Sequence, residues 1–316
     1  MVEILSKDRS RNIALPNFLI VGAAKSGTTS LNYYLKQHPQ IYMSPVKEPK
    51  FFTAQFLKFP LNGIGDDKVE KRMVKTFDEY KNLFKWVTPE RKAIGEASVD
   101  NLYYHQKTIS YIKHYLDEPK IIILLRNPVF RAFSAYKHLV RDGREFVSFE
   151  KGLQLEDERI KNNWEFIWFY KDVGFYYEQV KDYIKEFKRV KIFLTDDLEK
   201  NPLKVVKETY EFLEVDPSFV PDVSVKYNVS GVPKSKMFSV TLKKANTLGS
   251  VLEPVVNTLF PKKGIKIVSW IEKIRAKNLE SPEMKPETKE YLQTLYKENI
   301  LKLQDLIKRD LSNWLM

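Results

Sequence analysis

The sequence predicts an α/β fold with a central parallel sheet flanked by helices. Short, unbroken apolar runs recur along the chain, segments with helical periodicity follow them, and the first run leads straight into a turn rich in glycine and hydroxyl groups. Strands buried on both faces read as continuous apolar runs, and the helices between them supply the crossovers that parallel pairing requires.

The first run is Asn17–Val21 (NFLIV), and helical character continues over Thr28–Gln37. Ala93–Glu96 is a short further candidate strand. Lys120–Leu125 (KIIILL) is the most apolar run in the chain, bounded by Pro119 and Pro128. Val190–Leu194 (VKIFL) follows, with a helix over Pro202–Leu213. Gly174–Lys188 and Pro286–Arg309 place apolar residues at three- and four-residue spacing, the period of a helix with one buried face. Two stretches read as loops, Leu57–Asp67 and Asp216–Lys236, the second broken by Pro217, Pro221, Gly231 and Pro233. Neither a repeat nor a low-complexity tract interrupts this order. The expectation is a single domain over 1–316 with a flexible N-terminal tail at 1–14.

Hydrophobic residues make up 43% of the 316 positions and charged residues 30%, enough to bury a sizeable core. Cysteine is absent, which excludes disulfides, a cysteine nucleophile, Fe–S clusters and thiolate zinc sites. The four histidines, His38, His105, His114 and His138, fall in no zinc-ligand spacing, so no metal centre is expected. Lys plus Arg at 53 against Asp plus Glu at 41 gives +12. Such an excess attracts anions, whether nucleic acid, anionic lipid, sulfated polymer or a phosphorylated cofactor. Many lysines are scattered along amphipathic stretches such as Lys285–Lys308 and read as solvated faces. Charge alone does not choose among these partners, and no nucleic-acid partner is expected. No segment approaches the ~20 apolar residues of a membrane span. Met1–Asn12 mixes Glu3, Lys7, Asp8, Arg9 and Arg11 without a hydrophobic core, unlike a secretory signal. The expected compartment is cytoplasmic.

The turn after the first strand reads Gly22-Ala23-Ala24-Lys25-Ser26-Gly27-Thr28-Thr29-Ser30. A strand, a tight turn and a helix start form a backbone device for holding phosphate, because successive N–H groups converge and the helix dipole adds to them. Lys25 supplies a mobile charge, and Ser26, Thr28, Thr29 and Ser30 supply hydroxyl donors. A Walker A loop would put lysine directly after its second glycine, whereas Lys25 lies two residues before Gly27. Magnesium-dependent P-loop enzymes also need an Asp at the end of an apolar strand, yet Lys120–Leu125 ends in Arg126. A cation there repels a metal and attracts a second phosphate. Asn127-Pro128 starts a helix, and Ser134, eight residues after Arg126, lies where it can grip the same phosphate.

Lys25-Ser26-Gly27-Thr28-Thr29 and Leu125-Arg126-Asn127-Pro128 through Ser134-Ala135-Tyr136 resemble the two phosphate motifs of the PAPS-dependent sulfotransferase superfamily. Gly95-Glu96-Ala97-Ser98, Leu139 through Glu145, Gly174 through Tyr177, Asn228 through Ser235 and Arg309 through Trp314 extend the likeness across nearly the whole chain. The closest motifs are those of the bacterial and carbohydrate-type branch. The resemblance implies a P-loop nucleotide-kinase-like sulfotransferase fold and transfer of a sulfuryl group from PAPS to an acceptor, releasing PAP. It assigns Lys25 to the leaving oxygen and, from Lys47-Glu48-Pro49-Lys50-Phe51-Phe52, Glu48 as the base. His105 and His114 are the fallback bases. Thr195 stands where the cytosolic branch often has a tyrosine stacking on adenine, so adenine must be held differently. Lys234 and Ser235 are candidates to close over the 3′-phosphate. The aromatic stretch Asn162–Tyr177 suits an acceptor wall or a packed core equally. The acceptor is expected to be a small-molecule metabolite or carbohydrate carrying a hydroxyl or amine. A magnesium-dependent P-loop kinase and a non-catalytic anion-binding module are the competing readings.

Overall fold

The computed structural model describes residues 13–224 and 283–316, with the backbone of 232–233 and 279–280. Most of the expected tail at 1–14 lies outside the described residues, and so do Lys234 and Ser235.

Five strands, β1 (Phe18–Gly22), β2 (Ile41–Met43), β3 (Ala93–Glu96), β4 (Lys120–Leu125) and β5 (Val190–Leu194), form one sheet in the order β2-β3-β1-β4-β5. Every pairing in it is parallel, as the apolar runs predict. All of β1 is buried, and so is β4 apart from its first residue, Lys120. That is the pattern of central strands covered on both faces. β1 leads into α1 (Thr28–Lys36). Between β2 and β3 lie α2 (Phe51–Ala54), α3 (Asp66–Glu70) and α4 (Phe77–Asn82), and between β3 and β4 lie α5 (Asp100–Tyr103) and α6 (His105–Leu116). α7 (Pro128–Arg141), α8 (Phe149–Gln154), α9 (Glu156–Lys161) and α10 (Tyr176–Glu186) separate β4 from β5. α11 (Thr195–Lys200) and α12 (Pro202–Leu213) follow β5, and α13 (Pro286–Ile307) lies near the C-terminus. β6 (Val232–Pro233) and β7 (Leu279–Glu280) pair as a separate antiparallel ladder.

The chain divides into two compact units. The first, Met1–Phe59, Lys68–Leu125 and Glu178–Asp222, holds the whole parallel sheet. The C-terminal ends of adjacent β1 and β4 meet there, since Ala23 donates its N–H to the Leu124 carbonyl at 2.6 Å. Strand order departs in both directions from β1, and such a switch point is where open α/β sheets bind ligands.

The second unit comprises Pro60–Asp67, Arg126–Tyr177 and Val223–Met316. The aromatic stretch Asn162–Tyr177 builds its core, with Phe166, Trp168, Phe169, Tyr170 and Tyr176 buried. The helix expected over Gly174–Lys188 forms as α10, Tyr176–Glu186. A 3₁₀ turn at Asp172–Gly174 precedes α10. The Leu139–Glu145 stretch serves packing. Arg144 pairs with Asp66 and Glu165, while Glu145 accepts from Arg159 Nη2 at 3.1 Å and from the Tyr170 hydroxyl at 2.7 Å. Asp66 also accepts from the Gly63 and Glu165 amides, each at 2.8 Å, so Pro60–Asp67 is an anchored loop.

Candidate active site

The turn after β1 has an unusual backbone. Lys25 has φ 71° and Gly27 φ 92°, both left-handed. A Cβ on Gly27 would meet only the movable end of Leu198, so it is the conformation that calls for glycine. Gly27 is the N-cap of α1, and no side chain caps that helix. The first amides of a helix need partners, and a bound anion is a natural one. Ser26 is wholly buried, with no hydrogen-bond partner for its hydroxyl, a polar atom for which a ligand oxygen would compensate. Lys25 and Thr29 are half-buried, whereas Thr28 and Ser30 are buried. The Ser30 side chain hydrogen-bonds Tyr34, whose pKa rises through burial.

Thr195, at the start of α11, is buried beneath this turn. Its Oγ1 lies 3.0 Å from the Ser26 carbonyl and 3.1 Å from the Leu125 carbonyl. From the sequence it reads only as a residue unable to stack on adenine. The structure makes it a tie between the turn and the end of β4.

Glu48 lies in the same unit, in a turn whose backbone is left-handed twice, with φ 57° at Glu48 and 54° at Lys50. Its Oε1 accepts from Lys47 Nζ at 2.5 Å, and the side chain is 26% exposed, open enough to receive a proton. Phe51 and Phe52 are fully buried core anchors, with Phe51 stacked on Tyr80 at 4.5 Å. Behind the turn, Lys50 donates its N–H to Ser98 Oγ at 3.0 Å, and Ser98 donates to Glu96 Oε2 at 2.8 Å. Burial pushes the Glu96 carboxyl up to about 8, with Asp100 and Glu48 adding to the shift. Asp100 is likewise raised by burial. It accepts from Thr53 Oγ1 at 2.7 Å and lies 3.7 Å from Lys50 Nζ. The fallback histidines are placed differently. His105 is buried with Nδ1 2.6 Å from Asp182 Oδ2, and His114 packs edge-on to Tyr115.

Arg126 and Ser134 belong to the second unit, Lys25–Ser30 and Glu48 to the first. Arg126 is half-buried and Ser134, on α7, is buried. Asn127 caps α7 through Val129 N at 3.0 Å, and its Nδ2 donates to the Trp314 carbonyl at 3.3 Å. Burial, and then the Arg126 guanidinium, hold Lys137 below the usual lysine range. Two cations near one another suit an anion. The sequence reading missed Lys137, although it lies three residues beyond Ser134 on the same helix face. Among the described residues no helix is long and apolar enough to cross a membrane.

Residues 15–304 match the sulfotransferase domain family. The chain belongs to the PAPS-dependent sulfotransferase superfamily. The crystal structure of a sulfotransferase from Alicyclobacillus acidocaldarius is 36% identical, with a TM-score of 0.74 over 96% of this chain and 100% of that one. The parallel sheet is therefore the frame of a sulfotransferase fold. The membrane-associated sulfotransferase kil1 of Dictyostelium discoideum is 36% identical over 124 residues, 39% of this chain and 23% of that protein. Carbohydrate sulfotransferase 15 of Rattus norvegicus is 25% identical over 170 residues, 43% of this chain and 29% of that protein. The chain spans about a quarter of the length of these curated relatives.

Proposed function

We propose that this sulfotransferase moves a sulfuryl group from PAPS to a hydroxyl or amine of a small-molecule or carbohydrate acceptor and releases PAP. The observation that carries the reading is the turn after β1, where an uncapped helix start, a left-handed Lys25 and an unpartnered Ser26 hydroxyl occur together. In this reading Lys25 through Ser30 hold the 5′-phosphosulfate, while Arg126 and Ser134 hold the 3′-phosphate. Lys234 and Ser235 are proposed to close over that phosphate by resemblance alone. No magnesium is required, because Arg126 stands where phosphoryl-transfer P-loop enzymes place a metal-holding Asp.

PAPS supplies the sulfuryl group. The acceptor oxygen or nitrogen bonds to sulfur, the sulfur bond to the 5′-phosphate oxygen breaks, and its electron pair leaves with PAP. Glu48 takes the acceptor's proton, and Lys25 offsets charge growing on the departing oxygen. A carbohydrate acceptor is supported by the likeness to carbohydrate sulfotransferase 15.

A ligand at ~100 times its Kd adds ~2.7 kcal/mol to stability, a visible rise in melting temperature. PAP without magnesium is expected to give that rise, and ATP with magnesium is not. Equal responses would remove the donor assignment. Glu48→Ala is expected to abolish transfer across a panel of sugars, alcohols, phenols and amines while leaving the PAP shift intact. Retained turnover would move the base elsewhere.

A further inference from the structure

We propose that Ser98 is a positioning residue for the Glu48 turn, its hydroxyl tying the Lys50 amide to the Glu96 carboxyl and so holding the backbone shape that presents Glu48. The inference rests on reading Glu48 as the base. It also gives a task to Gly95-Glu96-Ala97-Ser98, which the donor motifs leave unexplained.

The argument begins with backbone strain. Glu48 and Lys50 both occupy the left-handed region, at φ 57° and 54°, without being glycine. Each such residue costs roughly 1–2 kcal/mol, so the shape persists only if the surroundings enforce it. The peptide that joins Pro49 to Lys50 is held at both its carbonyl and its N–H. Pro49 accepts at its carbonyl from Val74 N at 2.9 Å, and Lys50 N–H donates to Ser98 Oγ at 3.0 Å. Ser98 is fully buried, so its hydroxyl cannot trade either partner for water.

The direction of the chain of bonds is fixed. A serine hydroxyl has one proton, and the Lys50 amide can only donate. Ser98 therefore accepts from Lys50 and spends its proton on Glu96 Oε2, 2.8 Å away. Glu96 in turn is the last residue of β3, a strand inside the parallel sheet. The Glu48 turn is thus referenced through two buried bonds to the rigid part of its unit. Second contacts run alongside, from Thr53 Oγ1 to Asp100 at 2.7 Å and from Lys50 Nζ to Asp100 at 3.7 Å. These hold the Lys50 side chain and the start of α2, whereas the Ser98 bond acts on the backbone at the strained residue itself.

The test uses the full chain as wild type, Ser98→Ala and Ser98→Thr, with three readouts. These are transfer rates from PAPS over the acceptor panel, the melting shift with PAP, and deuterium uptake of the peptide spanning 46–55. Ser98→Ala is expected to lower kcat roughly ten- to a hundredfold, the scale of a small misplacement of a reacting group. The KM for PAPS should stay within about twofold, which separates positioning from donor binding. The PAP shift should be intact and uptake over 46–55 faster, with Ser98→Thr restoring both rate and uptake. Wild-type kcat and uptake in Ser98→Ala would overturn the proposal. So would a kcat loss accompanied by an equal loss of PAP response, because that is general loosening of the unit. If the wild type turns over no acceptor, the functional reading fails, and the uptake comparison decides the Ser98 tie by itself: faster uptake reversed by threonine supports it, and unchanged uptake refutes it.

Discussion

At position 195 one methyl-bearing hydroxyl joins two segments that the chain keeps far apart. Thr195 Oγ1 sits between the carbonyls of Ser26 and Leu125, 169 and 70 residues away in sequence. Because it has a single proton to share, its removal leaves both buried carbonyls short of a donor at once. Thr195→Val, nearly isosteric, is expected to cost about 1–3 kcal/mol of stability and to shrink the PAP melting shift. Thr195→Ser should recover both, and a Val variant that melts and responds like wild type would discharge Thr195 from any part in shaping the turn. The contrast with Lys25–Thr29 explains what was legible at this scale. A phosphate turn is written in consecutive residues, and the Arg126-to-Ser134 spacing lies within one strand end and one helix. A hydroxyl tie across 169 residues, or the Ser98 bond to Lys50 48 residues away, has no local pattern to read.

Secondary elements were readable where a single physical cause dominates. β4 is a run of isoleucines and leucines after Lys120 with no polar break, and α7 begins with a side-chain cap followed by proline, so the strand has its expected bounds and the helix its expected start. β2, although flanked by Pro39 and Pro45, has only three residues, too few for a period or an apolar run to show. α10 begins at Tyr176, after the Gly174 that its periodicity suggests, for a tertiary reason. A Cβ at Gly174 would lie 2.6 Å from the Tyr296 hydroxyl of α13, which packs against the 3₁₀ turn and accounts for glycine there. The cap of α7 provides the test at this level. Asn127 joins the Val129 amide to the C-terminal Trp314 carbonyl, so Asn127→Ala removes a cap and a bond to the chain end together. The expected loss is about 1–2 kcal/mol by chemical denaturation, the upper range for a cap. A loss near zero would mean that water replaces both bonds.

For the molecule as a whole, the buried acids set an unusual dependence on pH. Burial raises Asp66, Glu96, Asp100 and Glu156, and Glu96 reaches about 8 from an ordinary 4.5. A raised carboxyl binds its proton more tightly folded than unfolded. Its penalty is therefore absent below the unfolded pKa, grows as pH rises through the window, and is complete above the folded pKa. For Glu96 that window runs from 4.5 to about 8. Surface acids such as Glu79 and Glu214 are lowered by hydrogen bonds and ion pairs, and they act oppositely, losing their small benefit only under acid conditions. The +12 charge pulls the other way, since proton loss as pH rises lowers the net positive charge and its self-repulsion. That relief acts between exposed groups screened within about 8 Å at physiological salt, so the buried acids should prevail. Melting temperature is thus expected to fall between pH 6 and pH 9 at constant ionic strength. Glu96→Gln isolates the largest contributor, because the amide keeps an acceptor for Ser98 and cannot ionise. At about 1.4 kcal/mol per pKa unit, its stability relative to wild type should improve by about 3 kcal/mol from pH 6 to pH 9. Parallel pH curves for the two proteins would show that Glu96 titrates like an exposed carboxylate, and that the interior around the Glu48 turn is wet.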